Sequence, residues 1–341
     1  MSNLDKINIY VPAKTGSVLK QDMQMFEIFK ANDKSYNWNR FLSMLVKGYY
    51  DTYVQDNKEK REAVRAALQP VMLSKLVTES VISTIMDNVI QPASSKRGGR
   101  GSVHLSLKPT DQTEDLIQRI IYETDEPVSQ VFRRMLLSYC KKPFSQRERI
   151  VFMENYTKLS RFCETQQPIY LSTVRDEDTI HEVVPYAVSF GPEEMFNYLM
   201  CQEENPMTHV PETKSYALRR IKGVNASDKT TILHRTVEER LLKMGKMGPQ
   251  YAINDDDEIC VRLNEKGLSL YNRMIYFGRP VYERIEEKSD GYYQYYKCSA
   301  DQVFLYFKRF DPHTAEIVAP DSLRNRMKQF FTKGIEVYGE T

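Results

Sequence analysis

The residues of this chain suited to chemistry are mostly cations and tyrosines, and they cluster. Between positions 130 and 150 stand Arg133, Arg134, Lys141, Lys142, Arg147 and Arg149 against one acid, Glu148. A second basic group is Arg219, Arg220 and Lys222, and a tyrosine run follows at Tyr292, Tyr293, Tyr295 and Tyr296. Cations beside aromatic rings suit nucleic acid, because phosphates meet Lys and Arg while bases stack on rings. For 130–150 two readings stand open, a solvated helix face and a phosphate-facing stripe. For the tyrosines, strand alternation turns about half inward, so core packing claims two of the four.

Catalytic spacing is missing. The sequence has no G-x-x-x-x-G-K-[ST] loop, no G-x-S-x-G elbow and no G-x-G-x-x-G, and His181-Glu182 lacks the second histidine of a zinc helix. The acidic run Asp255-Asp256-Asp257-Glu258 reads as a solvated turn, since consecutive carboxylates point in different directions. Cys140, Cys163, Cys201, Cys260 and Cys298 are odd in number and never form C-x-x-C. That pattern predicts reduced thiols in a cytoplasmic protein and no zinc site built from cysteine. No metal and no cofactor are expected. No apolar run is long enough to span a membrane. With 48 Lys plus Arg against 46 Asp plus Glu, any anion-binding surface must come from local clustering. Nothing in this motif set points to an enzyme.

The elements that must position these residues begin with a repeat. Residues 6–11 alternate, with Ile7, Ile9 and Val11 on one side and Lys6, Asn8 and Tyr10 on the other. Helices are predicted at about 17–31 and 36–55. At a 96-residue offset the pattern recurs: Val103, Leu105 and Leu107 alternate with His104, Ser106 and Lys108, and helices follow at about 111–123 and 127–140. Pro12 and Pro109 close the two strands. A lone short strand needs a partner for its backbone groups. The unit resembles the ribbon-helix-helix family, in which paired strands send outward residues into a nucleic-acid groove. Carried over, those residues are Lys6, Asn8, Tyr10, His104, Ser106 and Lys108. A pure pairing core is the competing reading.

From Pro168 the chain turns to strands, predicted at 169–172, 179–190, 195–201 and 214–224, after a single helix from Ser145 to about 165. Hairpins of this length predict a small SH3- or Sm-like β-barrel. Four motifs over about 60 residues resemble the WYL domain. They are Tyr170 in the first strand, His181 four residues before Pro185, Asn197-Tyr198-Leu199 after Phe196, and Tyr216-Ala217-Leu218-Arg219-Arg220-Ile221. Asn197 stands in place of the family's tryptophan, Ala217 in place of an arginine, and Arg219 in place of an acid. The resemblance implies a basic pocket for nucleic acid or nucleotide-like ligands, formed here by Tyr170, His181, Tyr198, Arg219, Arg220 and Lys222.

The tail, predicted as β-α-β-β-α-β-α from 259 onward, reads as ferredoxin-like and resembles the extension that follows many WYL domains. The expected fold is thus multidomain α+β. A ribbon-helix-helix-like α/β region is expected at 1–57 and 102–143, around a connector at 58–101. A linker helix at 144–167 leads to the WYL barrel at 168–226, a connector at 227–258 and the ferredoxin-like domain at 259–341. This combination resembles the WYL accessory proteins of type VI-D CRISPR systems. The resemblance implies a homodimer that binds single-stranded RNA, has no membrane role, and stimulates an RNA-guided RNase effector, a candidate partner for direct contact. The alternative is a DNA-binding transcription regulator with a ligand-sensing WYL domain.

Overall fold

The computed structural model describes residues 5–31, 35–71, 74–90, 101–176, 178–191, 195–254, 257–273 and 278–338. Residues 91–100 of the expected connector, residues 192–194 between the strands expected at 179–190 and 195–201, and Asp255 and Asp256 of the acidic run lie outside them. The chain divides into two compact units, residues 1–154 and 155–341.

In the first unit, β1 (Ile7–Pro12) leads into α1 (Ala13–Met25) and the 31-residue α2 (Trp38–Leu68). The Asn37 side chain caps α2 by accepting from the Arg40 N–H. Then follow α3 (Lys75–Ile85), β2 (Ser102–Leu107), α4 (Asp111–Glu123), α5 (Val128–Tyr139) and α6 (Phe144–Val151). The helix expected from 145 to 165 is broken at Phe152, after which α7 (Met153–Thr165) restarts. The first connector is not separate, because α2 runs straight through residue 57.

The two repeat strands pair with each other. β1 and β2 form an antiparallel ribbon with Ile9 opposite Leu105 and Tyr10 opposite His104. Ile9, Val11, Leu105 and Leu107 are buried beneath it. The second helix of each repeat packs on the other repeat's strand, α5 on β1 and α2 on β2. Each strand's N–H and C=O groups already find their partner in the same chain, so the ribbon leaves no strand waiting for a second copy. Gly48 sets the approach of α6 to α2: a Cβ there would stand 2.0 Å from the Ile150 carbonyl oxygen.

The second unit holds two sheets. The first contains β3 (Ile169–Thr173), β4 (Ile180–Phe190), β5 (Asn197–Glu204), β6 (Pro211–Ala217) and β7 (Ile221–Ala226), all antiparallel in the order β6-β5-β4-β3-β7. The expected barrel is not closed. The strand expected at 214–224 is cut by a 3-10 turn, Leu218–Arg220, so that among the described residues β6 pairs with β5 alone and β7 with β3 alone. Bulges between Pro185 and Ala187 and between Ser172 and Thr173 bend the sheet without bringing those edges into register. Pro185 supplies no N–H, which suits it to the bulge.

α8 (Arg235–Met247), in the stretch expected to be a connector, packs Val237, Leu241 and Met244 against Met200 and Ile253. The final domain runs β8 (Ile259–Leu263), α9 (Glu265–Arg273), β9 (Arg284–Lys288), β10 (Gly291–Tyr296), α10 (Ala300–Phe307), β11 (Ala315–Ala319) and α11 (Asp321–Tyr338). Its strand order, β11-β8-β10-β9, is that of a split βαββαβ fold. No helix among the described residues is long and apolar enough to cross a membrane.

Candidate nucleic-acid interface

The three-residue turn after β6 builds the most suggestive corner of the molecule. Leu218 and Ile221 are buried and anchor it. The intervening Arg219 and Arg220 are half-buried, and Lys222 is exposed. The β5–β6 register sets Tyr198 opposite Ala217, the residue just before the turn. The Arg219 guanidinium carbon lies 3.8 Å from the ring centroid of Phe196, within stacking range. The Arg220 carbonyl accepts a 2.9 Å hydrogen bond from the Val174 N–H, which ties the turn to the end of β3. The corner therefore offers a ring–guanidinium stack, a second ring and two further cations on a backbone held by apolar side chains. Such a set can sandwich a base and neutralise phosphate.

The other two residues expected in this pocket lie elsewhere. Tyr170 opposes Glu182 across the β3–β4 ladder, and its hydroxyl donates to Asp228 at 2.7 Å. That bond holds the Asp228 carboxyl below its ordinary pKa. His181 opposes Leu171, one position along, so it projects from the opposite face of the sheet to Tyr170. Its Nδ1 stands 2.8 Å from Glu203 Oε1, and the Tyr216 hydroxyl donates to Glu203 Oε2 at 2.7 Å. A carboxylate only accepts, so His181 carries its proton on Nδ1 in this arrangement. Burial, then the bond to Glu203, pushes the Tyr216 phenol well up. The six expected residues thus separate into a corner of four and two hydrogen-bonded clusters.

The basic stretch at 130–150 is largely neutralised within its own unit. Arg147 grips the fully buried Asp22 with Nε and Nη2 at 2.7 and 2.9 Å, and the Tyr139 hydroxyl donates to the same carboxylate at 2.8 Å. Burial works to lower the Arg147 pKa, and the bond to Asp22, the Asp22 charge and the neighbouring Tyr139 and Cys140 together raise it. Lys142 bonds Asp56 at 2.7 Å, and Arg134 pairs with Glu126. Arg133 is half-buried, and Lys141 is exposed.

The ribbon presents its outward set as expected. Lys6, Asn8, Tyr10, His104 and Lys108 are exposed, and Ser106 is half-buried. These groups also meet one another. His104 Nε2 lies 3.0 Å from Asn8 Oδ1, and its ring centroid is 5.0 Å from that of Tyr10.

Among the described residues no group of three or more His, Cys, Asp or Glu could hold a metal ion. Burial raises all five cysteine thiols, those of Cys140, Cys163 and Cys298 to about 12. The corner residue missing from the sequence-based site is Phe196; its signal was its place two residues before Tyr198.

No family model and no curated protein matches the chain. Among solved structures, one described as the crystal structure of a CRISPR Cas-related protein matches with a TM-score of 0.66 at 16% identity, covering 98% of this chain and 94% of that one. Proteasome accessory factor B/C of Arthrobacter aurescens aligns over 99% of this chain and 51% of its own, at 10% identity, and its TM-score of 0.27 carries no weight. This chain therefore shares its fold, over nearly its whole length, with a CRISPR Cas-related protein.

Proposed function

We propose that this protein is a non-catalytic, cytoplasmic, single-stranded RNA-binding accessory factor of an RNA-guided CRISPR RNase of type VI-D, whose activity it stimulates. The observation that carries the RNA-binding part is the Arg219–Phe196 stack at 3.8 Å, set beside Tyr198, Arg220 and Lys222 on one anchored turn. The fold shared with a CRISPR Cas-related protein supports the defence setting, and the WYL-like motifs support a nucleic-acid ligand. The test is binding of a mixed-sequence single-stranded RNA and a duplex DNA at the same salt. RNA is expected to bind more tightly, and tolerance of sequence is expected. If about 3–5 phosphates are contacted, log K against log salt should slope at about −2 to −3.5. A flat response contradicts phosphate contact.

A second reading, a duplex-DNA regulator, is favoured by one observation: the exposed ribbon face with Lys6, Asn8, Tyr10, His104 and Lys108. It requires tight binding to a discrete duplex site that is lost on Asn8→Ala.

A further inference from the structure

The last domain has one covered face and one open face. Ile259, Val261, Leu263, Tyr296 and Ile317 point into the core shared with α10 and α11. By alternation, Arg262, Tyr293, Tyr295 and Glu316, with Arg284, Glu286 and Lys288 across the ladder, stand on the other face. Of the four tyrosines in the run, Tyr296 is fully buried and Tyr292 packs against the core, while Tyr293 and Tyr295 belong to the open side.

Those two rings are held in place. The Tyr293 hydroxyl donates to Asp290 at 2.8 Å, and the Tyr295 hydroxyl donates to Glu286 at 3.0 Å. The Arg284 guanidinium carbon is 3.7 Å from the Tyr295 centroid, and the Lys288 ammonium is 4.1 Å from that of Tyr293. Arg284 is itself fixed by Glu258, to which Nη2 donates at 2.9 Å. Gly291, at φ +141°, closes the β9–β10 turn where a Cβ would come within 2.5 Å of the Leu263 carbonyl oxygen. The result is two ring–cation stacks two residues apart on one strand, roughly 7 Å along the sheet. That is about twice the 3.4 Å rise of stacked bases, a spacing that suits an unstacked strand.

We infer that this open face is a second single-strand nucleic-acid surface, on which successive bases stack on the Tyr295–Arg284 and Tyr293–Lys288 pairs. Bases stack on aromatic rings and on guanidinium planes alike, and a four-stranded βαββαβ sheet is a common stage for it. Charge on this face is balanced internally: Arg284 pairs with Glu258 and Glu286, Lys288 with Glu286, and Arg262 with Asp290 and Glu316. Stacking rather than phosphate neutralisation carries the affinity, so this surface contributes little salt dependence. The inference rests on the single-strand reading above but assigns a separate surface.

The test uses the full chain and a uridine-rich single-stranded RNA carrying 4-thiouridine, cross-linked by light and mapped by mass spectrometry. Cross-links are expected within residues 289–297 as well as at the Phe196–Lys222 corner. The double variant Tyr293→Ala/Tyr295→Ala is expected to weaken binding at least ~5-fold with an unchanged salt slope. Tyr293→Phe/Tyr295→Phe, which keeps both rings, is expected to bind within about threefold of wild type. Circular dichroism checks that each variant is folded. Cross-links confined to 196–222, with a folded double-alanine variant that binds like wild type, overturn the second surface and leave the proposed function standing. A wild-type chain that binds no single strand overturns both. A double-alanine variant that keeps RNA binding but loses a wild-type dimer in sedimentation assigns the face to a second copy instead and overturns the inference.

Discussion

Two basic clusters stand out in this chain, and the structure uses them in opposite ways. At 130–150 the cations face acids contributed from far away in sequence: Asp22 for Arg147, Asp56 for Lys142 and Glu126 for Arg134. At 219–222 the turn places Arg219 on a ring, at 3.8 Å from the centroid of Phe196, and leaves Lys222 exposed. The first cluster holds its own unit together through carboxylates distant in sequence, and the second lays a guanidinium on a ring. Local charge density does not distinguish them; what each guanidinium touches does. A buried guanidinium–carboxylate pair also has a different energy scale from an exposed cation, because a single lost partner leaves a charge in a dry site.

The largest expected effect breaks the first cluster. Asp22→Ala strands Arg147 beside Tyr139 in the interior and should cost about 3–5 kcal/mol of stability, read by denaturant unfolding. A loss below about 1 kcal/mol would show that the pair is not structural. Next comes the second cluster. Tyr198→Ala should weaken single-stranded RNA binding ~5- to 150-fold, the loss of one base–aromatic stack worth ~1–3 kcal/mol. Melting of the same variant separates this from a packing defect: a binding loss that only tracks unfolding assigns Tyr198 to the core.

A smaller effect is alkaline. Thiols raised by burial stay neutral when folded, so the stability they contribute is complete below the unfolded thiol pKa of ~8.5. It is lost progressively as pH rises toward about 12, the value for Cys140, Cys163 and Cys298. Melting temperature should therefore fall between pH 9 and 11, and native thiols should react slowly at pH 8 with a reagent that titrates all five on unfolding. Smallest of all, Lys141→Ala/Lys142→Ala should change RNA binding by less than about twofold. Its stability cost should be no more than ~1 kcal/mol, from the lost Asp56 pair. A drop in affinity like that of the corner variants would restore the 130–150 stripe as a binding surface.

Much of the fold was legible because its signals are local. Alternation bounded by proline marked 102–107, and amphipathic periodicity marked 111–123, both as observed. Helix α8 is marked too, by Val237, Leu241 and Met244 at i, i+4 and i+7, within the stretch expected as a connector. What could not be read was pairing. Nothing in residues 6–11 says whether their partner strand is in the same chain or another. Nothing in 214–224 says that Leu218–Arg220 turns and leaves the sheet open. The candidate site divided the same way. Tyr198 stands beside the start of the Leu218–Arg220 turn because β5 and β6 are ladder neighbours, and the turn lays Arg219 on Phe196. Tyr170 and His181 do not join them: Asp228 holds the first and Glu203 the second, and alternation sends the two to opposite faces.

The central claim is that the Phe196–Lys222 corner holds single-stranded RNA, and Arg220→Ala tests it most directly. Titration of a fluorescein-labelled single-stranded RNA at several salt concentrations, with circular dichroism of both proteins, is the measurement. The corner predicts a folded variant that binds ~5- to 150-fold more weakly. Its salt slope should be reduced by about one phosphate's worth. A well-folded Arg220→Ala protein that binds RNA as tightly as wild type, with the same slope, would contradict it.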